Sequence, residues 1–327
     1  MSIKIGIGLG IPFRRGGGVG IEIPMLDTYT AMAAFSFRKL RTAYAGNCIK
    51  VRRDSDDGTQ DIGFVGGMID TASLLTFVGV GNGYIDTLYD QGVNGLDLNQ
   101  PITTRQPLIV IAGVLCTYNG RPIAICDGVD DGLYRLNIAQ TANVGFIGMF
   151  LVHRNREIAL TGNKVYAIVT TGISKQTTRT SIGRGIVFGK YFHNCRRLDA
   201  DSTDYYNSVT DVDLTQKLIT TFADFTNGDG FIFLNGTPDN SDTTFGTEGS
   251  TSNTSSQNMS IGGVVYDGAD AYEVNCDFFE WIVFNTDISA SRVAIETNQA
   301  NHFNFSLGAG DTILSGEVTY DSSIDAI

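Results

Sequence analysis

Beyond about residue 105, apolar and polar positions alternate in short runs separated by Gly, Asn and Asp. The runs "PLIVIAG", "RPIAICDG", "GFIGMFLVH", "VYAIVTTG", "LITTFADF", "GFIFLNGT", "NMSIGGVVY" and "DFFEWIVFN" each read as a strand. A period of two, or a brief unbroken apolar run bounded by turn residues, fits a half-buried or fully buried strand. In "FIFLNGTP" the Asn235-Gly236 pair is the strongest local hairpin signal of the chain. So many evenly spaced strands without helices between them predict a mainly β, antiparallel sandwich rather than a parallel α/β sheet.

Four segments read differently. Ala33, Phe37, Leu40 and Tyr44 recur at helical spacing from Asp27 or Thr28 onward, which predicts an N-terminal helix ended by Gly46. "NCIKVRR", "DSDDG" and "TQDIGF" then predict a hairpin that sets Lys50, Arg52 and Arg53 against Asp54, Asp56, Asp57 and Asp61. Opposite charges on facing strands are worth about 0.2–1 kcal/mol per pair, so the charges need neither nucleic acid nor metal. "DTASLLTFVG" predicts a second short helix, and Ile288, Arg292, Ile295 and Gln299 predict a closing one with Ser289 or Ser291 as its cap.

Residues 1–27 alternate Gly with Ile, Leu and Val and contain "RRGGG", too little side-chain volume for a core. They read as an extended arm that orders only against a partner, with Arg14 and Arg15 as anchoring residues. The "GIGLG" within it lacks the GxGxxG spacing and a following helix, so it is no phosphate loop. The domain reading is an arm (1–27), a sandwich body (28–305) and a tail (306–327).

Composition narrows the partners. Residues 1–53 hold nine Lys or Arg against two acids, while the whole chain of 327 residues carries −12. An acidic body behind a basic start repels phosphate backbones and argues against duplex nucleic acid. The five cysteines are odd in number, form no CxxC pair and read as buried thiols of a reducing cytoplasm. The N-terminus makes a poor signal peptide, and no segment reaches the roughly 20 apolar residues that cross a bilayer.

Several strings, in order, carry a family resemblance: "AAFSFRKLRTAYAGNCIKVRRDSDDGTQDIGF", "IDTASLLTFVG", "GYIDTLYDQGVNG", "RQPLIV" and "NGRPIAICDGVDDGL". Over about residues 33–135 the chain resembles the concanavalin A-like module of the arabinofuranosidase B type, glycoside hydrolase family 54. A similar string appears in virion proteins of tailed phages. The later half, with "FIFLNG", "MSIGG" and "FFEWIVFNTDISASRVAIETNQANHF", resembles laminin-G and pentraxin-like jelly rolls. The resemblance implies a concanavalin A-like antiparallel jelly roll.

It also implies what should be present in a hydrolase. The family's nucleophile lies in a motif of paired cysteines followed by Phe-Asp-Tyr-Gly-Asn and a glutamate, and this chain has no such string and no appended arabinose-binding trefoil. It has seven glutamates: Glu22, Glu157, Glu248, Glu273, Glu280, Glu296 and Glu317. Glu280 stands where such jelly rolls often hold a structural acid.

The resemblance without the motif gives the expectation of a non-enzymatic virion protein of a tailed bacteriophage, a fibre, spike or decoration subunit made in the host cytoplasm. Its expected partners are other virion proteins through the arm, further copies of itself, and host-surface glycans. The alternatives are an arabinofuranosidase-like hydrolase with relocated carboxylates, or a free carbohydrate-binding lectin.

Two loops hold the candidate site residues. "DTLYDQGVNG" places Tyr89, Asp90, Gln91 and Asn94 where a sugar could stack and bond, although a loop packed by its own hydrogen bonds would use the same residues. "CDGVDDGL" offers Asp127, Asp130 and Asp131 as hard oxygen ligands for Ca2+, against the plainer reading of an acidic turn. No other cofactor is expected. His153, His193 and His302 are far apart with no nucleophile motif, and "HNCRRLDADSTDYY" balances its arginines with acids, as a solvated loop does.

Overall fold

The computed structural model describes residues 24–158, 162–170, 178–185, 189–243, 248–263 and 272–308. Asn275–Phe284 is the hub of the first sheet. One edge of it pairs with Phe146–Asn155, which continues to Gln216–Asp224, Asp229–Leu234 and Thr237–Asp242. The other edge is flanked end to end by Ala33–Ser36 and Ala124–Asp127.

The second sheet runs from Thr59–Ile62 through Ile49–Arg53 and Gly83–Leu88, then by the short Leu98–Asn99 to Leu133–Ile138. It continues through Gln257–Ile261, Lys164–Thr170, Thr178–Gly185 and Lys190–Cys195 to Asp204–Asp211. Leu108–Ile111 pairs with both Gly83–Leu88 and Ala124–Asp127 and so joins the two sheets. All of these pairings are antiparallel, and the sandwich expected from the alternation is the fold observed.

The long strands of the first sheet are apolar on both sides because both sides are covered. Ile147, Met149 and Leu151 face the core between the sheets, and Phe146, Phe150 and Val152 face a second cluster under the closing helix. Burying both faces turns alternation into a continuous apolar run, which is how "GFIGMFLVH" and "DFFEWIVFN" read. The Asn235-Gly236 turn holds both central residues at positive φ, 47° and 81°, as a tight hairpin requires.

The helix expected from residue 28 to residue 44 does not form. Ala33–Ser36 is instead a strand, buried at all four positions and paired with Val283 to Glu280. The spacing of Ala33, Phe37, Leu40 and Tyr44 mimicked a helix because the segment serves both clusters in turn, Phe35 and Phe37 inward and Ala34 and Leu40 outward. Its irregular backbone is satisfied from elsewhere: Leu40 N–H donates to Gln91 Oε1 (2.7 Å) and Lys39 N–H to Gly67 O (2.8 Å).

The other two helices match the sequence. Thr71–Val78 starts at Asp70, whose carboxylate accepts Ser73 N–H (3.1 Å) and Ser73 Oγ–H (2.6 Å). Arg292–Phe303 follows a 3-10 turn at Ser289–Ser291 and ends at Asn304 in the left-handed region. Ser291 occupies the cap position without a side-chain bond to the helix, so neither expected serine caps it.

Of the expected arm, residues 24–27 are described, and Met25 and Leu26 are buried in the outer cluster. Of the expected tail, Gly308 N–H donates to Asn235 O (2.8 Å). Arg14 and Arg15 lie outside the described residues. Among the described residues, no helix is long and apolar enough to cross a membrane.

Candidate functional site

The charges of the 49–62 hairpin are consumed by the fold. Register pairs Lys50 with Asp61 and Arg52 with Thr59. Arg52, buried, donates from Nε to Gln106 Oε1 (2.6 Å), from one terminal nitrogen to Asp57 (2.8 Å) and from the other to Thr103 O (2.9 Å), and lies over Tyr84 at 4.6 Å. Arg53 grips Asp56 through two bonds of 2.7 and 2.6 Å and lies over Phe77 at 4.8 Å. The Arg53 bond holds the Asp56 carboxyl down at about 2.

The 89–97 loop is likewise bound inward. Asp90, 3% exposed, accepts the N–H groups of Ala34 (2.8 Å), Gly92 (2.7 Å) and Leu96 (2.8 Å). Gln91, fully buried, accepts from Leu40 N–H and donates to Ser36 O (3.0 Å) and Arg38 O (2.9 Å). Asn94 donates to Met32 O (2.7 Å) and Tyr89 to Asp61 (2.7 Å). These four residues tie the loop to the 31–40 segment and to the hairpin, as a loop packed by its own hydrogen bonds does.

The acidic turn is different, because it gathers charge. It follows Ala124–Asp127, where Gly128 at φ 79° passes so close to Asn275 that a Cβ would stand 2.8 Å from it. Asp127 Oδ1 accepts Val129 N–H (2.8 Å), and Asp131 Oδ2 accepts Asp127 N–H (3.0 Å). Arg105 Nε stands 3.8 Å from Asp130 Oδ2. One carboxylate oxygen from each of Asp127, Asp130 and Asp131 falls within 4.8 Å of the others.

Burial grades across that cluster: Asp127 is exposed, Asp130 intermediate, and Asp131 only 7% exposed. Burial, followed by the charge of Asp127, pushes the Asp131 carboxyl up to about 7, against the opposing hydrogen bond from Asp127 N–H. Near neutrality the turn therefore holds, at Asp131, a carboxyl that gives up a proton readily beside two further acidic side chains. Such a group can do acid–base work or chelate a hard cation, and both uses are open to the same oxygens.

Glu280, singled out in the sequence as a structural acid, is one. Fully buried, it accepts from Ser36 Oγ (2.7 Å), from Arg38 through two nitrogens (2.8 and 2.9 Å) and from Gln299 Nε2 (3.0 Å). Burial alone would raise its carboxyl, but the Arg38 charge and hydrogen bonds outweigh it and hold it below the usual range. This knot lies on the outer face of the first sheet, away from the acidic turn.

The histidines do not meet. His153 lies in the core against Tyr166 (centroids 4.1 Å apart) and Tyr191 (5.8 Å). His193 bonds Tyr206 (2.7 Å) and Thr180 (3.0 Å), and His302 packs on Phe303. The buried group around His153, with Asn155 linking the Tyr166 and Tyr191 hydroxyls, was missed in the sequence. Alternation along 146–155 would have found it, since His153 and Asn155 share the inward parity of Ile147, Met149 and Leu151.

With this geometry in place, the comparisons are specific. Residues 27–113 match the family model of the α-L-arabinofuranosidase B catalytic domain. A glycoside hydrolase family 54 α-L-arabinofuranosidase soaked with a cyclic sulfate inhibitor superposes with a TM-score of 0.59 at 17% identity, over 82% of this chain and 62% of that one. An arabinofuranosidase complexed with arabinofuranosyl-α-1,2-xylobiose gives 0.58 at 16% identity, over 85% of this chain and 64% of that one. The chain thus spans less than two thirds of the length of those structures, and at such identity the likeness shows the fold. No curated protein matches.

These findings correct the expectation of a bacteriophage virion protein. The family model over residues 27–113 is that of an arabinofuranosidase, and the two solved structures described above, which share the fold, are arabinofuranosidases and not a fibre, spike or decoration subunit. The chain is a β-sandwich whose residues 27–113 are similar to an arabinofuranosidase catalytic domain.

Proposed function

We propose that this chain is an arabinofuranosidase-like glycoside hydrolase, acting on α-L-arabinofuranosides. The observation that carries this reading is the match of residues 27–113 to an arabinofuranosidase catalytic domain, set in a sandwich that superposes on arabinofuranosidase structures over more than four fifths of the chain. The acidic turn beside that segment supplies the chemistry. Asp131, with its carboxyl raised to about 7, gives a proton to the leaving oxygen, and the exposed Asp127 stabilises or attacks the sugar carbon. Carboxylate oxygens less than 5 Å apart fit the short spacing of retaining glycosidases better than the roughly 6.5–9.5 Å of inverting ones.

The test is release of 4-nitrophenol from 4-nitrophenyl α-L-arabinofuranoside by the full chain. Turnover is expected, with Asp131→Asn and Asp127→Asn each lowering kcat by at least about 100-fold, the scale of lost acid–base help. Absence of turnover overturns the reading, and turnover unchanged in the double variant overturns the site. A second reading rests on the three converging carboxylates: a Ca2+ site at the same turn of a sugar-binding module. Calorimetric titration with Ca2+ separates the two, because a cation on Asp131 would remove the proton donor.

A further inference from the structure

Two of the five cysteines stand face to face. Cys126 and Cys276 are direct Cα partners in the antiparallel pairing of Ala124–Asp127 with Asn275–Phe284. Directly opposed residues in an antiparallel pair lie about 4.5–5.5 Å apart at Cα, inside the 4.4–6.8 Å range that a disulfide spans without moving the backbone. Both side chains point into the core, at 1% and 3% exposure. Cys48, Cys116 and Cys195 are also buried free thiols, but none is a register partner of another cysteine.

We infer that Cys126 and Cys276 are a disulfide-forming pair, closed when the chain folds in the presence of a disulfide oxidant. In that step the two thiols lose two protons and two electrons to oxidised glutathione, whose S–S bond breaks to give two molecules of reduced glutathione. Burial dictates the timing. Once the sandwich has closed, the pair is shielded from exchange, so the bond forms during folding and not afterwards. The bridge would tie the strand that leads into the acidic turn to the hub strand of the first sheet, and it would close a loop covering nearly half the chain.

The experiment is to refold the full-length chain in a glutathione buffer, oxidised or fully reduced, and count thiols under denaturing conditions. Oxidative refolding is expected to leave three free thiols and to yield, on digestion, a linked peptide containing Cys126 and Cys276. It should also raise Tm by roughly 5–10 °C over the reduced protein, as closing a long loop does. A Cys126→Ala/Cys276→Ala double variant, which keeps the core apolar, should show the same Tm in both buffers. Five free thiols after oxidative refolding, a linked peptide with any other pair, or a redox-dependent Tm in the double variant would each overturn the inference.

Discussion

In the region from residue 49 to residue 106, Arg52, Asp90 and Gln91 are buried with bonds to three groups apiece. In the paired strands 146–155 and 216–224, His153, Gln216 and Thr221 are just as buried, yet His153 has no partner at either ring nitrogen, nor Gln216 at either amide atom, nor Thr221 at its hydroxyl, among the described residues. The backbone explains the contrast. Loops that lack ladder partners borrow side chains to satisfy their N–H and C=O groups, so each polar residue there has an assigned task. A regular ladder satisfies its own backbone, and polar side chains on it are placed by alternation alone, at a cost of about 1–3 kcal/mol for each group left unsatisfied.

The knot around Glu280 is where the two regions are joined, and breaking it should have the largest effect. Ser36 and Arg38 come from the segment that Gln91 ties to the first region, Glu280 from the hub strand that pairs with residues 146–155, and Gln299 from the closing helix. Glu280→Ala takes the carboxylate away from the buried Arg38 guanidinium and should cost about 3–5 kcal/mol. Urea unfolding followed by the fluorescence of the one tryptophan, Trp281 in the core, measures it. An Arg38→Met/Glu280→Leu pair should recover most of that loss, which would show that the cost is one of buried charge and not of a lost packing contact.

Next come paired substitutions that should move in opposite directions. Asp90→Ala strips acceptors from three buried N–H groups and should destabilise by about 2–4 kcal/mol, while Asp90→Asn, which keeps one carbonyl oxygen, should cost less. His153→Leu removes two unpartnered nitrogens and at pH 7 should be neutral or stabilising by up to about 1 kcal/mol. Equal losses at both sites would dissolve the distinction between the regions.

Acid sharpens it further. Burial holds His153 and His193 down at about 3 in the folded chain, from an ordinary 6.5. Their contribution is complete above pH 6.5 and is lost as pH falls from 6.5 towards 3, by up to about 1.4 kcal/mol per pH unit for each histidine. Asp131 acts with the opposite sign: raised from 3.8 to about 7, it destabilises most above pH 7, and that penalty fades as pH falls towards 4. Two histidines against one carboxyl give a net loss between pH 6 and 4. His153→Leu should flatten the profile over that window, and Asp131→Asn should steepen it; urea midpoints at each pH decide both.

How much of this was legible follows the same division. The hairpin, the two later helices and the Asn-Gly turn were readable because each is set by neighbours in sequence: Asp70 caps three residues on, and Asn235 and Gly236 take positive φ side by side. Ala33–Ser36 was misread as helix because its partners, Val283 to Glu280, lie some 240 residues away and its burial on both faces erased the period of two. At the candidate site the three aspartates were visible as a string, but the feature that gives them chemistry, the burial of Asp131 beside an exposed Asp127, arises only in the folded chain, where Gly262 packs against the Asp131 backbone and Asn275 against Gly128.

The smallest effect belongs to the most conspicuous charges of the sequence. Arg53 and Asp56 make two short bonds, and they hold the Asp56 carboxyl near 2, yet the Arg53 side chain is 34% and that of Asp56 51% exposed, so water solvates both partners and salt screens the pair. Asp56→Asn should therefore leave the urea midpoint unchanged within error, at low salt as at high. Arg52→Met, one residue before, should not be silent, because Arg52 is 7% exposed and its loss orphans Gln106 Oε1 and Thr103 O beneath Tyr84. The gap between two adjacent arginines in one hairpin would then measure what burial, and not charge, contributes to the region that identifies the fold.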